Sequence, residues 1–274
     1  MNAYLNGIRT QWKRFAAWLG GEGIALLLVV GFVVHVGYAV AYRIPPTVDA
    51  KRYVTVAINL VERGVYCLEC TVPLAADMAV HGVGPGYQFF LAGVFAMVGT
   101  QFWVVWMLQA LMFVGVVAWI AHRTRAHASW QRNVFLGVLL FHPDIVQANA
   151  MLMTDTLFMA MVFAVCEACI WLLSQKGQRS SRWMVVAWTL IGGGFALANL
   201  IRPTGLPFFL LALAALTYLR LSWKHLALIV GGFILVQTPW VVRNYRVYDH
   251  FLLNSAVGGI NLWVGLHPDG DGRY

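Results

Sequence analysis

Few residues of this 274-residue chain have the type and spacing to do chemistry. Asp49 follows Pro45-Pro46-Thr47-Val48, which places it in the first turn of a helix that Thr47 can cap. Tyr53 lies one turn further along the same face. A carboxylate at a helix N-terminus is stabilised as the anion and is suited to taking a proton, although capping alone also accounts for its position. Asp144, after Pro143, and Asp155, after Met153-Thr154, are two further acids close in sequence. Oxygen ligands of this kind can hold a divalent cation, but two are too few to define a metal site. An Asp that begins a helix is often only a cap. Arg202-Pro203 and Arg243-Asn244 each follow an apolar run. An arginine at a membrane interface can make bidentate bonds to phosphate, or it can anchor the helix by snorkelling beside an interfacial Trp.

Other features are less specific. The run from His81 through Gly84-Pro85-Gly86-Tyr87 to Ala92 is dense in Gly and Pro, which suits close backbone approach or a sharp turn into the membrane. The cysteines form two Cys-x-x-Cys pairs, Cys67/Cys70 and Cys166/Cys169. The first falls on an outer loop, where an oxidising compartment favours a disulfide. The second falls inside an apolar run, where cysteine packs as a small hydrophobe, and Glu167 between its members must face protein or the inner interface. The eight His residues show no ligand spacing.

The elements that must position these residues are membrane helices. Hydrophobic residues make up 60% of the chain and charged ones 11%, and the mean hydropathy is +0.70. Soluble domains carry roughly 25% charged residues, so a water-soluble globule is excluded. The net charge of +8 does not signal nucleic acid, because no basic patch is interleaved with aromatics on a soluble face. The first apolar run follows Arg9, Lys13 and Arg14 with no small-residue cleavage site after it, and it is expected to act as a signal anchor. At about 20 residues per crossing, spans are expected near 24–42, 102–121, 133–147, 156–173, 184–200, 205–221 and 226–240. The third would continue through Pro143 with a kink. The run 87–98 is too short and is expected to lie in the interface. The expected fold is an all-α polytopic membrane protein of about seven transmembrane helices. It is read as one domain over 1–274, with a cytoplasmic segment 1–23, an outer loop 43–100 carrying amphipathic and interfacial helices, and an outer segment 241–274. In that loop a helix should run from Val48 to about Arg63 and stop at Gly64.

Charge sets the orientation. With 87–98 out of the membrane, the inner segments hold Arg9, Lys13, Arg14, Arg123, Arg125, Arg132, Lys176, Arg179, Arg182, Arg220 and Lys224. The positive-inside rule then places the N-terminus in the cytoplasm and the C-terminus outside. The carboxylates, which that rule does not use, gather on the outer side: Asp49, Glu62, Glu69, Asp77, Asp144, Asp155, Asp249, Asp269 and Asp271. That side is where chemistry is expected, at the outer face of a plasma (inner) membrane.

The succession of motifs resembles the GT-C class of membrane glycosyltransferases, in particular bacterial relatives of the protein O-mannosyltransferases and of the lipid A aminoarabinose transferases. The matching residues are Pro46-Thr-Val-Asp49 with Tyr53 and Ala57, Glu62-Arg-Gly64, and Gly84-Pro-Gly-Tyr87 with Phe90-Leu-Ala92. Met153-Thr-Asp155-Thr-Leu-Phe158, Leu200-Ile-Arg-Pro203, Pro239-Trp-Val-Val-Arg-Asn-Tyr245 and Gly259-Ile-Asn-Leu262 with Gly265 follow in order. Each motif is short, and their colinear order from about Ile24 onward carries the likeness. The chain departs from the class at Ala50, where members commonly have a second acid, and members usually continue past the point where Tyr274 stands.

The resemblance implies a polyprenyl-phosphate sugar donor and a lipid, glycan or protein acceptor. Asp49 and Asp155 would be the catalytic acids, and Tyr53, Tyr87, Arg202, Arg243 and Asn244 the substrate-binding residues. A metal requirement is left open. In an inverting displacement Asp49 would take the acceptor proton, and the arginines would offset charge on the leaving phosphate. The alternatives are a transporter or lipid flippase, which would more often show paired repeats and midplane charges, and a non-catalytic subunit or fragment of a larger glycosyltransferase.

Overall fold

The computed structural model describes residues 22–77, 79, 84–125, 129–174, 181–255 and 263–267. Arg9, Lys13, Arg14, His81, Lys176, Arg179, Gly259-Ile-Asn-Leu262, Asp269 and Asp271 lie outside the described residues. Among the described residues all regular secondary structure is helical. Five helices are long and apolar enough to cross a membrane: Gly23–Tyr42, Phe102–Arg123, Asp155–Ser174, Arg182–Ile201 and Trp223–Tyr248. The chain is an α-helical membrane protein. It divides into two compact units, one formed by Met1–Pro45 and Phe102–Thr156, the other by Pro46–Gln101 and Leu157–Tyr274.

In the first unit, α1 (Glu22–Tyr42) packs on α4 (Phe102–Arg123), α5 (Ser129–Phe141) and α6 (Pro143–Ala150). The contact is apolar, built on Phe113, Val117, Leu136 and Leu140, with Leu27 and Leu28 of α1 against them. Much of the rest of α1 is exposed apolar surface, Val29 and Val33 among it, as expected of a helix that faces lipid.

The expected kinked span at 133–147 is instead two helices. The helix α5 ends at Phe141, His142 is extended at φ −62° and ψ 123°, and Pro143 opens α6 at its first position. Proline has no N–H to continue the ladder, and its ring disfavours helical backbone at the preceding residue. The break frees the Leu140 carbonyl and the end of α6 frees those of Asn149 and Met151, and buried side chains from other helices take them up. The His35 ring meets the Leu140 carbonyl through Nε2 at 2.9 Å, so Nε2 carries the proton and Nδ1 accepts from Asn149 Nδ2–H at 3.0 Å. Gln109 Nε2 donates to the carbonyls of Asn149 and Met151, each at 2.9 Å, and Thr156 Oγ1 donates to Asn149 Oδ1. This network lets irregular backbone exist where no water is present.

The second unit is organised by α8 (Ser181–Ile201) and α10 (Trp223–Tyr248), with α7 (Asp155–Ser174, from Leu157 onward) and α9 (Gly205–Tyr218) packed beside them. The α8–α10 crossing is close because of two glycines. A Cβ on Gly192 would collide with the Ile229 carbonyl, and one on Gly232 with the Thr189 carbonyl, so only residues without a side chain allow the backbones to touch. Around them Trp188, Phe195 and Ile229 are fully buried, and Phe209 stacks on Phe233 at 4.2 Å. Cys166 and Cys169 belong to this packing.

On the same unit α2 (Val48–Arg63) packs against α3 (Gly86–Val98). The helix ends where Gly64 takes a left-handed conformation, φ 67°, and its N–H returns to the Leu60 carbonyl at 3.1 Å. Thr47 is extended at the N-cap position, but its hydroxyl makes no capping bond. The helix α9, at 14 residues, and α3, at 13, are apolar but short. Their lengths of about 20 Å fall below a hydrocarbon core of about 30 Å.

Candidate functional site

Arg243 lies near the C-terminal end of α10, a 26-residue helix. At 1.5 Å per residue α10 is about 39 Å long, so it can carry its last turns past the hydrocarbon core. The Arg243 guanidinium is held by a loop and by its own helix. Nη2–H donates to the Tyr66 carbonyl at 3.2 Å, and Nη1–H to Asn244 Oδ1 at 3.1 Å and Tyr248 Oη at 3.4 Å. Three aromatic rings surround it, Tyr66 at 5.3 Å, Trp240 at 5.1 Å and Tyr248 at 5.4 Å from its carbon centre. These bonds use three of the five N–H donors. Among the described residues Nε–H has no partner and no carboxylate pairs with the charge.

A cavity of about 530 Å³ opens beside it. Its walls are apolar or aromatic, with Leu60, Phe89, Leu200, Pro239 and Trp240 among them, and among the described residues Arg243 is the only charged group that lines it. Tyr66, Phe89 and Trp240 pack edge to face or tilted at 5.0–6.3 Å between centroids. Burial pushes the Tyr66 phenol well above its usual pKa, with Arg243 pulling the other way. Tyr66 is therefore a neutral wall and no base.

The loop that carries Tyr66 is tightly fixed. Cys67 and Cys70 are joined as a disulfide. Asp77, 1% exposed, accepts the backbone N–H of Leu68 at 2.9 Å, of Glu69 at 2.7 Å and of Ala79 at 2.8 Å. Asn59 of α2 donates to the Cys67 carbonyl at 3.0 Å. Behind Arg243 a second polar cluster ties α8 and α10 to residues 252–254. Asn199 donates to Gln237, Gln237 to the Leu253 carbonyl, Asn254 to the Asn199 carbonyl, and Trp240 Nε1 to the Asn254 carbonyl at 2.8 Å.

The chain matches no family model, no curated protein and no solved structure.

The residues expected to form the site are spread through this frame. Asn244 is completely buried; it accepts from Arg243 and donates to the Leu252 carbonyl at 3.1 Å, so it braces the arginine from behind. Tyr53 and Tyr87 are buried and meet edge to face at 5.6 Å, joining α2 to α3. Gly84 and Gly86 allow α3 to start against α8: a Cβ on Gly84 would strike the Leu200 carbonyl, and one on Gly86 would come within 2.8 Å of the Ile201 nitrogen.

Asp49 is half-buried in the first turn of α2, and its carboxylate has no hydrogen-bond or ion-pair partner among the described residues. It does not line the cavity, whose wall on α2 begins at Leu60, about 16 Å further along the axis. Arg202 is half-buried just after α8 ends at Ile201. Asp155 belongs to the first unit, half-buried at the first position of α7 between buried Thr154 and Thr156. Asp144 is 88% exposed and 3.9 Å from His142. Among the described residues no group of three or more His, Cys, Asp or Glu is placed to hold a metal.

Tyr66, Asp77, Asn59 and Tyr248 were not singled out from sequence. The adjacency of Tyr66 to the Cys-x-x-Cys pair was the one available signal. Tyr66 and Arg243 are 177 residues apart, and no local pattern links them.

Proposed function

We propose that the chain is a membrane glycosyltransferase of the GT-C type that moves a sugar from a polyprenyl-phosphate donor to an acceptor at the outer membrane face, with inversion. One observation carries the reading: an arginine that among the described residues has no carboxylate partner and an unbonded N–H stands at the edge of an apolar cavity. A ligand that suits both is an anion attached to a hydrocarbon tail, since the guanidinium takes phosphate oxygens in a fork and the cavity takes apolar chain. The topology that goes with it is seven crossings, the five long helices together with α9 and the broken α5–α6 pair, and an N-terminus in the cytoplasm.

Asp49 acts as the base. Among the described residues its carboxylate has no partner, which leaves it available to an acceptor hydroxyl or amine as that group attacks. The leaving group is already a phosphate and needs positive charge more than a proton. The two arginines sit differently with respect to Asp49. Tyr53, one turn past Asp49, packs on Tyr87, and the adjacent Gly86 lies against Ile201, next to Arg202. In this reading Arg202 would meet the donor phosphate from the Asp49 side and Arg243 from the cavity side.

Steady-state kinetics with a polyprenyl-phosphate sugar test this division. Arg243→Ala should mainly raise KM for the donor, and Arg202→Ala should mainly lower kcat. Unchanged kinetics in both variants would return the two arginines to a role as interfacial anchors.

A further inference from the structure

Asp77 is a buried carboxylate that the proposed reaction does not use. Its oxygens bind the N–H groups of Leu68 and Glu69, the two residues between the disulfide-bonded Cys67 and Cys70. Asn59 holds the carbonyl of Cys67 from the other side. Three constraints thus converge on four consecutive residues, and the residue immediately before them is Tyr66. Its carbonyl accepts from Arg243, and its ring lies against the guanidinium.

We infer that Asp77 is a positioning residue, and that together with the Cys67–Cys70 disulfide it forms a clasp that aims Arg243 at an anion in the cavity. The inference rests on reading the cavity as a site for a phosphate-headed lipid. An arginine side chain has considerable rotamer freedom, and fixing it before the ligand arrives removes that cost from binding. The clasp supplies this without touching the ligand, through the Tyr66 carbonyl and ring. Asp77→Asn keeps the size of the side chain but turns one acceptor oxygen into an NH₂ that faces backbone donors. The loop then loses its seat, and Arg243 loses both its acceptor and its stacking partner. The cavity walls on α3, α8 and α10 stay in place.

Farnesyl phosphate and farnesol, which share a tail and differ in the head, separate these effects when bound to the full chain in nanodiscs. The wild-type protein should prefer farnesyl phosphate about tenfold, the size of one charge-assisted contact. Arg243→Ala should abolish the preference. Asp77→Asn and the double variant Cys67→Ser/Cys70→Ser should each bring it close to one while farnesol affinity is unchanged. In the Arg243→Ala background Asp77→Asn should change nothing further. Full preference in the Asp77 and cysteine variants alongside its loss in Arg243→Ala overturns the positioning role and leaves the phosphate reading intact. Preference retained in Arg243→Ala overturns both. Equal loss of farnesol and farnesyl phosphate binding in Asp77→Asn and in the cysteine variant means a general collapse, and likewise overturns positioning.

Discussion

Arg243 and Asp49 are the two side chains on which the proposed chemistry depends, and they differ in how much of their setting is visible in the sequence. The position of Asp49 follows from local grammar: Thr47, Val48 and the periodicity after them place it in a helical first turn, where the structure has it. That it has no partner among the described residues is a tertiary fact that no spacing encodes. Arg243 could be noticed only as a charge after an apolar run, because its cage comes from Tyr66 on a distant loop and from Trp240 and Tyr248 on its own helix. Asn244 and Tyr53, expected against substrate, are buried, and a polar side chain facing inward reads the same in sequence as one facing a ligand. At this scale Asp49→Asn should lower turnover by about 10²-fold or more, in line with loss of a positioned general base, with helix content by circular dichroism unchanged. Arg243→Lys should fail to restore the donor KM lost in Arg243→Ala, because an ammonium cannot fork onto phosphate or lie flat among three rings.

At the level of elements, two prolines illustrate where sequence reasoning stops. Pro143 ends one helix and opens another, whereas Pro239 sits inside an unbroken α10. The apolar pattern runs through both. Around Pro239, Phe233 and Trp240 are buried on either side, so packing holds the helix together. Around Pro143 the freed Leu140 carbonyl finds His35 on another helix, whose ring Asn149 holds in place. Gly64, by contrast, was legible, because a left-handed stop is what glycine does best. His35→Ala should leave the Leu140 carbonyl unpaired and cost about 1–3 kcal/mol, measured as a lowered midpoint in detergent denaturation. Gly192→Val should cost at least as much, since its side chain would enter the Ile229 carbonyl.

The whole molecule is a membrane protein whose few charges are informative by side and not by sum. In the proposed topology the excess of positive charge would fall on inner loops such as the Arg220–Lys224 turn, and the outer face would collect Asp49, Asp77 and Asp249. Single cysteines at the two ends of α10 test this topology, because the native cysteines are either disulfide-bonded or packed in the core. Asp249→Cys should react with a membrane-impermeant maleimide added to intact cells. Ser222→Cys should react only after the cells are opened. The reverse pattern would put the cavity and Arg243 on the cytoplasmic side.

The central claim is that a sugar–phosphate bond is broken here. The most direct measurement is release of free polyprenyl phosphate from an isotopically labelled polyprenyl-phosphate sugar pool, followed by mass spectrometry in native membranes holding either the wild-type chain or Asp49→Asn. The account predicts release that depends on the wild-type chain, a labelled sugar appearing on a lipid, glycan or protein, and loss of both in the variant. Labelled sugar lipid that crosses the bilayer intact, at the same rate in both membranes and with no covalent product, would contradict it and identify a flippase.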